Sequence, residues 1–285
     1  VTWLADVPRD VCAELLRDLD KAWQRCFAKV AKRPRWKARG RDNVGPCEPH
    51  PKAWRIDKDR VFFPKLGYIP AMIHRAVEGT AKTCRLVNDV GQWFACISAV
   101  ADVPEPAAPT GEPVGIDRGV VQLIADSNGR SVPNPRRLER YRRSLTRAQR
   151  RLCRKQKGSK NREKAKQRVA VLFRTVRRQR DHVLHVESLH YAKSHGVVVV
   201  ERLQVRNMTA SAAGTIEEPG SNVRQKAGLN RAILDAAWGR FGDMLGYKCG
   251  WHGSTLVEVD PAYTSQTCSV CGCVDAASRL SQSVF

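Results

Sequence analysis

Apolar residues recur at three-to-four spacing through Leu4, Val7, Val11, Leu15, Leu19, Ala22 and Cys26, which predicts a helix over residues 4–28. The pattern then changes period. Short apolar runs at 61–69 and 92–100, separated by turn residues, predict strands of a small β-barrel within 54–100. Pro104, Pro106, Pro109 and Pro113 punctuate the next stretch, so 105–113 reads as a linker.

A second domain is expected from Val114 onward. Residues 114–119 read as a strand, and 120–125 as a second strand that pairs back and ends at the Ser127-Asn128-Gly129 turn. Two long helices fill 136–195, broken at 157–161. Leu138, Tyr141, Leu145, Ala148 and Leu152 keep heptad spacing on the first helix. Val169, Leu172, Val176, Val183 and Val186 keep it on the return, with polar Gln179 in the seam. That is the pattern of an antiparallel helical hairpin. Val197 to Val200 form a buried strand that delivers Glu201. Residues 207–227 read as loop, 229–245 as one helix and 255–259 as a last strand, with Cys249 packed beside it.

Charge changes this picture. The 285 residues carry 50 Lys and Arg against 28 Asp and Glu, a net of +22, which favours a polyanionic partner and above all nucleic acid. No apolar run approaches the roughly 20 residues of a membrane-spanning helix, so no membrane role is expected. The ten Cys lack the spacing of a disulfide scaffold, and most read as buried thiols of a reducing cytoplasm. About twenty Lys and Arg fall within 136–180, with only Glu139 and Glu163 against them. Arg142, Arg143, Arg147, Arg150, Arg151 and Arg154 cover more than one helix face. That exceeds what a solvated stripe needs and suits tracking of a phosphate backbone. A solvated coiled-coil face is the plainer alternative. Arg35, Lys37, Arg39 and Arg41 form a basic loop around Trp36, which can either stack on a base or pack in a core.

Two carboxylates stand in costly positions. Asp117 lies inside an apolar strand, followed by Gly119, and Glu201 ends the four-valine strand. If the first and fourth strands of the domain lie side by side, both acids converge at one end of the sheet. Such an edge can hold Mg²⁺ for phosphodiester hydrolysis. Taken singly, either acid could instead be a solvated strand-end residue or pair with a nearby Arg. Near the C-terminus, Cys268 and Cys271 have the spacing of half a zinc knuckle.

Gly115-Ile116-Asp117-Arg118-Gly119-Val120, Val200-Glu201-Arg202-Leu203 with Asn207-Met208, Gly228-Leu229-Asn230-Arg231, Gly246-Tyr247-Lys248, and Tyr263-Thr264-Ser265-Gln266 with Cys268, Cys271 and Gly272 resemble, in order, the motifs of the TnpB (OrfB) family. These are transposon-encoded RNA-guided DNA nucleases related to type V CRISPR effectors. Arg33-Pro34-Arg35-Trp36-Lys37 and Phe63-Pro64-Lys65-Leu66-Gly67 resemble the family's basic turn and barrel strand. The resemblance implies an α/β, RuvC-like RNase H fold over 114–285, with the basic hairpin (136–195) inserted and a partial zinc knuckle at 262–285. It implies a wedge-like β-barrel over 33–104 and a helical recognition segment over 1–32. Asp117 and Glu201 become the catalytic Mg²⁺ ligands of a two-ion site, and Cys268 and Cys271 the structural zinc ligands. Arg35, Trp36, Lys37, Arg39, Lys65 and the hairpin arginines become nucleic-acid contacts. The partners become a guide RNA from the transposon end and double-stranded target DNA, in a prokaryotic cytoplasm close to the nucleoid.

Two departures qualify that expectation. The family has a second Cys pair and a third catalytic Asp after the knuckle, and neither stands in this sequence. Asp275 lies too close to Cys271 to match that Asp, and Asp260 precedes the knuckle. Cys273 reads as a free thiol. The chain starts at Val1 rather than Met, so it reads as a segment of a longer protein. Impaired cleavage is therefore expected, with a nuclease-dead RNA-guided DNA binder or repressor as the alternative.

Overall fold

The structure, a computed structural model, describes residues 6–36 and 44–261. The chain divides into two compact units between Pro104 and Glu105.

In the first unit, α1 spans Arg9–Phe27. It starts later than the apolar spacing suggests, because Pro8 is extended with ψ 134° and the helix forms only after it. Six strands follow: β1 (Val44–Glu48), β2 (Arg55–Ile56), β3 (Arg60–Phe63), β4 (Gly67–Pro70), β5 (Thr80–Asp89) and β6 (Gln92–Val100). Among the described residues they pair as two three-stranded antiparallel sheets, in the orders β1-β5-β6 and β2-β3-β4. Trp54, Val61, Phe63, Cys84 and Leu86 form their shared core, which Val11 of α1 joins. The rest of the apolar stripe on α1 behaves differently. Leu15 and Leu19 are exposed, and past its first turns the helix is tied to the sheet by Asp18 and Arg85 at 3.1 Å.

The second unit is a five-stranded mixed sheet with helices. Its elements are β7 (Val114–Asp117), β8 (Gln122–Asp126), β9 (Ser131–Pro133), α2 (Arg137–Cys153), α3 (Lys160–Ser194), β10 (Val197–Glu201), α4 (Val205–Met208), α5 (Val223–Ala236), α6 (Trp238–His252) and β11 (Thr255–Val259). The strand order is β11-β10-β7-β8-β9. β7, β8 and β9 form an antiparallel meander, whereas β10 and β11 run parallel to β7. Val114, Ile116, Val198 and Val200 point to one face, where Leu184, Tyr191, Ile233, Phe241 and Leu245 cover them. Cys249 is buried in this core beside β11. The proline-rich stretch before β7 lies against the end of α3, where the Gly196 amide donates to Gly111 O at 3.0 Å. Among the described residues, no helix is long and apolar enough to cross a membrane.

The hairpin breaks where the sequence predicts. Ser159 caps α3 by accepting from the Arg162 amide at 3.2 Å. The Arg162 guanidinium reaches back to Leu152 O and Lys155 O, both at 3.0 Å, and satisfies the carbonyl end of α2. Leu145, Ala148 and Leu172 fill the seam, and Gln179 donates to the Tyr141 hydroxyl at 3.1 Å. The heptad pattern fails beyond Val176. Val186 is exposed, and the buried positions become Leu184, Glu187, Ser188, Tyr191 and Ala192. There α3 leaves α2 and packs on the sheet, so a different face turns inward.

The expected helix over 229–245 is two helices. Ala237 sits in the left-handed region with φ 54°, a conformation costing a non-glycine residue about 1 kcal/mol or more. The break turns Trp238 into the core, where its indole N–H donates to Gly119 O at 3.3 Å. Burial of that side chain offsets the local strain. Of the seven cysteines described, Cys47, Cys84 and Cys249 are buried, whereas Cys96 and Cys153 are exposed, so buried thiols are fewer than composition suggested.

Candidate active site and nucleic-acid interface

β7 and β10 pair in parallel, with Val198 beside Val114, Val199 beside Gly115 and Val200 beside Ile116. The next register position brings Glu201 beside Asp117. In-register neighbours on parallel strands project from the same face at a strand spacing of about 4.8 Å. Ile116 and Val200 go into the core, so alternation sends Asp117 and Glu201 to the opposite face. Asp117 is exposed and Glu201 half-buried. Both acids thus stand at the carboxyl ends of adjacent central strands, where ligands of open α/β sheets collect.

Toward its amino end β7 is held by Ser127, whose amide donates to Gly115 O at 2.9 Å and whose hydroxyl accepts from the Gly115 amide at 3.1 Å. On the far side, Val259 of β11 lies opposite Glu201, and Glu258 pairs with Arg202 at 3.4 Å. Asp260 falls one residue out of step with the acid pair. Among the described residues, no group of three His, Cys, Asp or Glu is assembled for a metal ion. The donor set at the sheet edge is two hard carboxylates. That suits Mg²⁺, which takes one or two carboxylates and fills its remaining positions with water and phosphate oxygens.

Sequence reasoning passed over Arg118. The residue is only 8% exposed, although it directly follows an exposed acid. It donates to the backbone carbonyl of Glu201 and, at 3.3 Å, to that of Trp238. Burial pulls its pKa below the ordinary value, while Glu201, Glu258 and Asp117 push it back up. The signal was a cation at a core-facing strand position, inside a motif valued only for its acid.

The second feature is the outer half of the hairpin. Arg142, Arg143, Arg147, Arg150, Arg151 and Arg154 are exposed and, with Thr146, line an open groove of about 500 Å³ on α2. Arg142 also pairs with Glu139 at 2.9 Å. A second groove of about 510 Å³ runs between the two helices, where Arg147 and Arg151 face Lys155, Lys164 and Arg168. The sequence singled out only the α2 half of that cleft. The seam register, which sets Leu172 against Leu145 and Ala148, identifies the other half.

In the first unit, Arg35 is exposed and Trp36 is 94% exposed, which removes the core-packing alternative for Trp36. Lys65 is exposed in the β3–β4 turn with φ 64°. Lys37, Arg39, Cys268 and Cys271 lie outside the described residues.

Comparison with known proteins agrees with the motifs. The OrfB_IS605 family, described as probable transposase, matches residues 96–212, and the Cas12f1-like TNB domain matches residues 238–284. The chain is 37% identical to the putative RNA-guided DNA endonuclease InsQ of Escherichia coli K12, over 99% of this chain and 70% of that protein. It is 32% identical to a putative RNA-guided DNA endonuclease of Streptomyces pristinaespiralis, over 96% of this chain but only 65% of that protein. Among solved structures, Cas12f1 in its complex with sgRNA and target DNA aligns with a TM-score of 0.53 at 14% identity, over 94% of this chain and 65% of that one. At that identity the likeness speaks for the fold alone.

Proposed function

Because this chain belongs to the TnpB (OrfB) family of transposon-encoded RNA-guided DNA nucleases, related to type V CRISPR effectors, we propose that its second unit is a RuvC-like, RNase H-type nuclease domain. The site would be the sheet edge that carries Asp117 and Glu201. The observation that carries this reading is the parallel register of β7 and β10, which puts the two acids side by side. The order β11-β10-β7-β8-β9, with the first strand central and a meander on one side, supports the RNase H-type assignment.

Asp117 and Glu201 would hold Mg²⁺ through their carboxylate oxygens. The bound ions would supply a deprotonated water and neutralise charge on the leaving oxygen. The two acids fix where a scissile phosphate must sit, on the sheet face away from the core. The hairpin arginines, with Arg35, Trp36 and Lys65, would hold guide RNA and target DNA by backbone and stacking contacts, while base pairing supplies sequence choice. Lys37 and Arg39 would extend that surface, and Cys268 and Cys271 would hold structural Zn²⁺. The setting would be a prokaryotic cytoplasm, close to the nucleoid.

Among the described residues, no third His, Cys, Asp or Glu joins the Asp117–Glu201 pair as a metal-holding group. A site limited to these two acids would hold cations weakly and cleave slowly. The same observation favours a second reading, an RNA-guided DNA binder without cleavage. Purified chain with guide RNA, target DNA and Mg²⁺ decides between them. Cleavage abolished by Asp117→Ala supports the nuclease. Guide-dependent DNA binding with no cleavage at any Mg²⁺ concentration supports the binder. Binding that ignores the guide overturns both.

A further inference from the structure

The buried guanidinium of Arg118 is an expensive feature with no use in packing. Its Nε is buried without a hydrogen-bond partner. An unsatisfied buried polar atom costs about 1–3 kcal/mol, and an apolar side chain of similar length would fill the space without that cost. Its two ends are nonetheless placed on definite targets. One Nη donates to Glu201 O and the other to Trp238 O.

Arg118 and its two targets belong to three different parts of the site. Arg118 extends β7 one residue beyond Asp117. Glu201 O lies one residue beyond the last described pair of the β7–β10 ladder. Trp238 opens α6, immediately after the left-handed Ala237. The clasp is closed from the other side by the Trp238 indole, which donates to Gly119 O. Gly242, one turn further along α6, lies beside the guanidinium: a Cβ there would be in ordinary contact with Nη1 at 3.5 Å. A strand ladder alone would release the two chains where the acids begin. The fork of Arg118 continues the join past that point.

We propose that Arg118 is the positioning residue of the acid pair, its planar fork spanning the Glu201 and Trp238 carbonyls so that the Asp117 and Glu201 carboxylates stay at the spacing a divalent cation requires. This rests on the reading of Asp117 and Glu201 as cation ligands. The role belongs to the shape of the fork and not to its charge alone. A lysine keeps the charge but is a point donor that cannot bridge both carbonyls in one plane.

The test is Mn²⁺ binding to the full chain, followed by electron paramagnetic resonance, for the unsubstituted protein, Asp117→Asn, Arg118→Lys and Arg118→Met. Thermal melting confirms that each is folded. The expected result is Mn²⁺ binding that Asp117→Asn removes and that Arg118→Lys weakens about tenfold, as for other residues that orient ligands from behind. Arg118→Met should weaken it at least as much. If the guanidinium acted only as a nearby positive charge, the methionine would tighten Mn²⁺ binding and the lysine would leave it unchanged, and either result overturns the proposal. Should the methionine variant fail to fold, the lysine variant alone decides the matter. If Asp117→Asn binds Mn²⁺ as the unsubstituted chain does, or neither binds, the acid-pair reading fails and the role of Arg118 with it. Unchanged binding in both Arg118 variants beside a loss in Asp117→Asn overturns the Arg118 proposal alone.

Discussion

The two halves of α3 live in different physical worlds. The inner half, from Asp181 onward, is locked to α6 and the sheet by polar contacts spaced along one face. Arg240 forks onto Asp181 at 2.7 and 2.9 Å. Lys248 donates to His185 O at 2.6 Å and to Ser188 Oγ at 2.7 Å, and Ser254 donates to Ala192 O at 2.6 Å. Tyr191, fully buried, donates to Asp126 and accepts from Arg130, which also pairs with Glu187 at 2.7 Å. Burial and the neighbouring Asp126 carboxylate push the Tyr191 phenol up to about 12. The outer half packs mainly on α2, through a buried seam of Leu145, Ala148 and Leu172, and reaches α5 only at its inner end, where Arg180 donates to Leu234 O at 3.2 Å. Its other faces are exposed and largely basic. Burial holds the inner half to the precision that a carboxylate pair requires. The outer half is a stiff arm that needs only to keep its charges outward, since a phosphate backbone is read by position and not by base identity.

That contrast predicts unequal costs for core truncations. Trp238→Ala, at the clasp beside the acids, should lose about 4 kcal/mol in denaturant unfolding, near the middle of the range for a buried Trp. Leu145→Ala, in the hairpin seam, should lose about 2 kcal/mol, because a narrow two-helix seam can collapse around the gap. Trp238→Ala should also weaken Mn²⁺ binding, and Leu145→Ala should leave it unchanged. Equal effects of both on Mn²⁺ would erase the distinction between the halves.

Glu201→Gln is next in size. The amide is isosteric, so the fold should hold while Mn²⁺ affinity falls about a hundredfold, the upper end of losses seen for groups that only orient ligands. Nucleic-acid affinity should change little. The reverse pattern is expected of Arg147→Gln with Arg151→Gln. Stability should stay within about 0.5 kcal/mol. Affinity for structured RNA should fall about tenfold, and the salt dependence should lose the share of about two phosphate contacts. A filter-binding salt titration reads both. An unchanged slope would make the hairpin a solvated face after all.

The same contrast explains which parts of the molecule could be read from residues. Period carried a long way: the hairpin, its break before Lys160, the four-valine strand and β11 are all legible, because each is a local pattern with a single period. The adjacency of Asp117 and Glu201 was legible as a condition, since only the pairing of β7 with β10 brings the acids together. What local patterns hid was every place where a second layer overrides them. The seam on α3 shifts after Val176 because the sheet replaces α2 as the neighbour. One helix became two at Ala237 because burying Trp238 outweighs a left-handed residue. The stripe on α1 promised a buried face, yet Leu15 and Leu19 are exposed. Arg118 was invisible for a related reason: a basic residue in a basic chain draws no notice until its burial is known.

The smallest expected effect tests whether the inner half is held by burial in the way described. His185 sits on α3 among Lys248, Arg240, His182, Asp181 and Tyr247, whose hydroxyl lies 3.5 Å from its Nδ1. Burial lowers its pKa below the usual histidine value, Lys248 lowers it further, and Asp181 only partly opposes them. The unfolded chain therefore takes up this proton at higher pH than the folded one. The stabilisation is present in full above the unfolded value of about 6.5 and is lost as pH falls through the lower folded value. The ring is largely exposed, so solvent keeps the effect small. His185→Gln should leave the urea midpoint unchanged at pH 7.5. It should flatten part of the fall that the unsubstituted protein shows on going to pH 5.5. If the variant loses as much stability on acidification as the parent, the α3–α6 seam does not disfavour charge at His185.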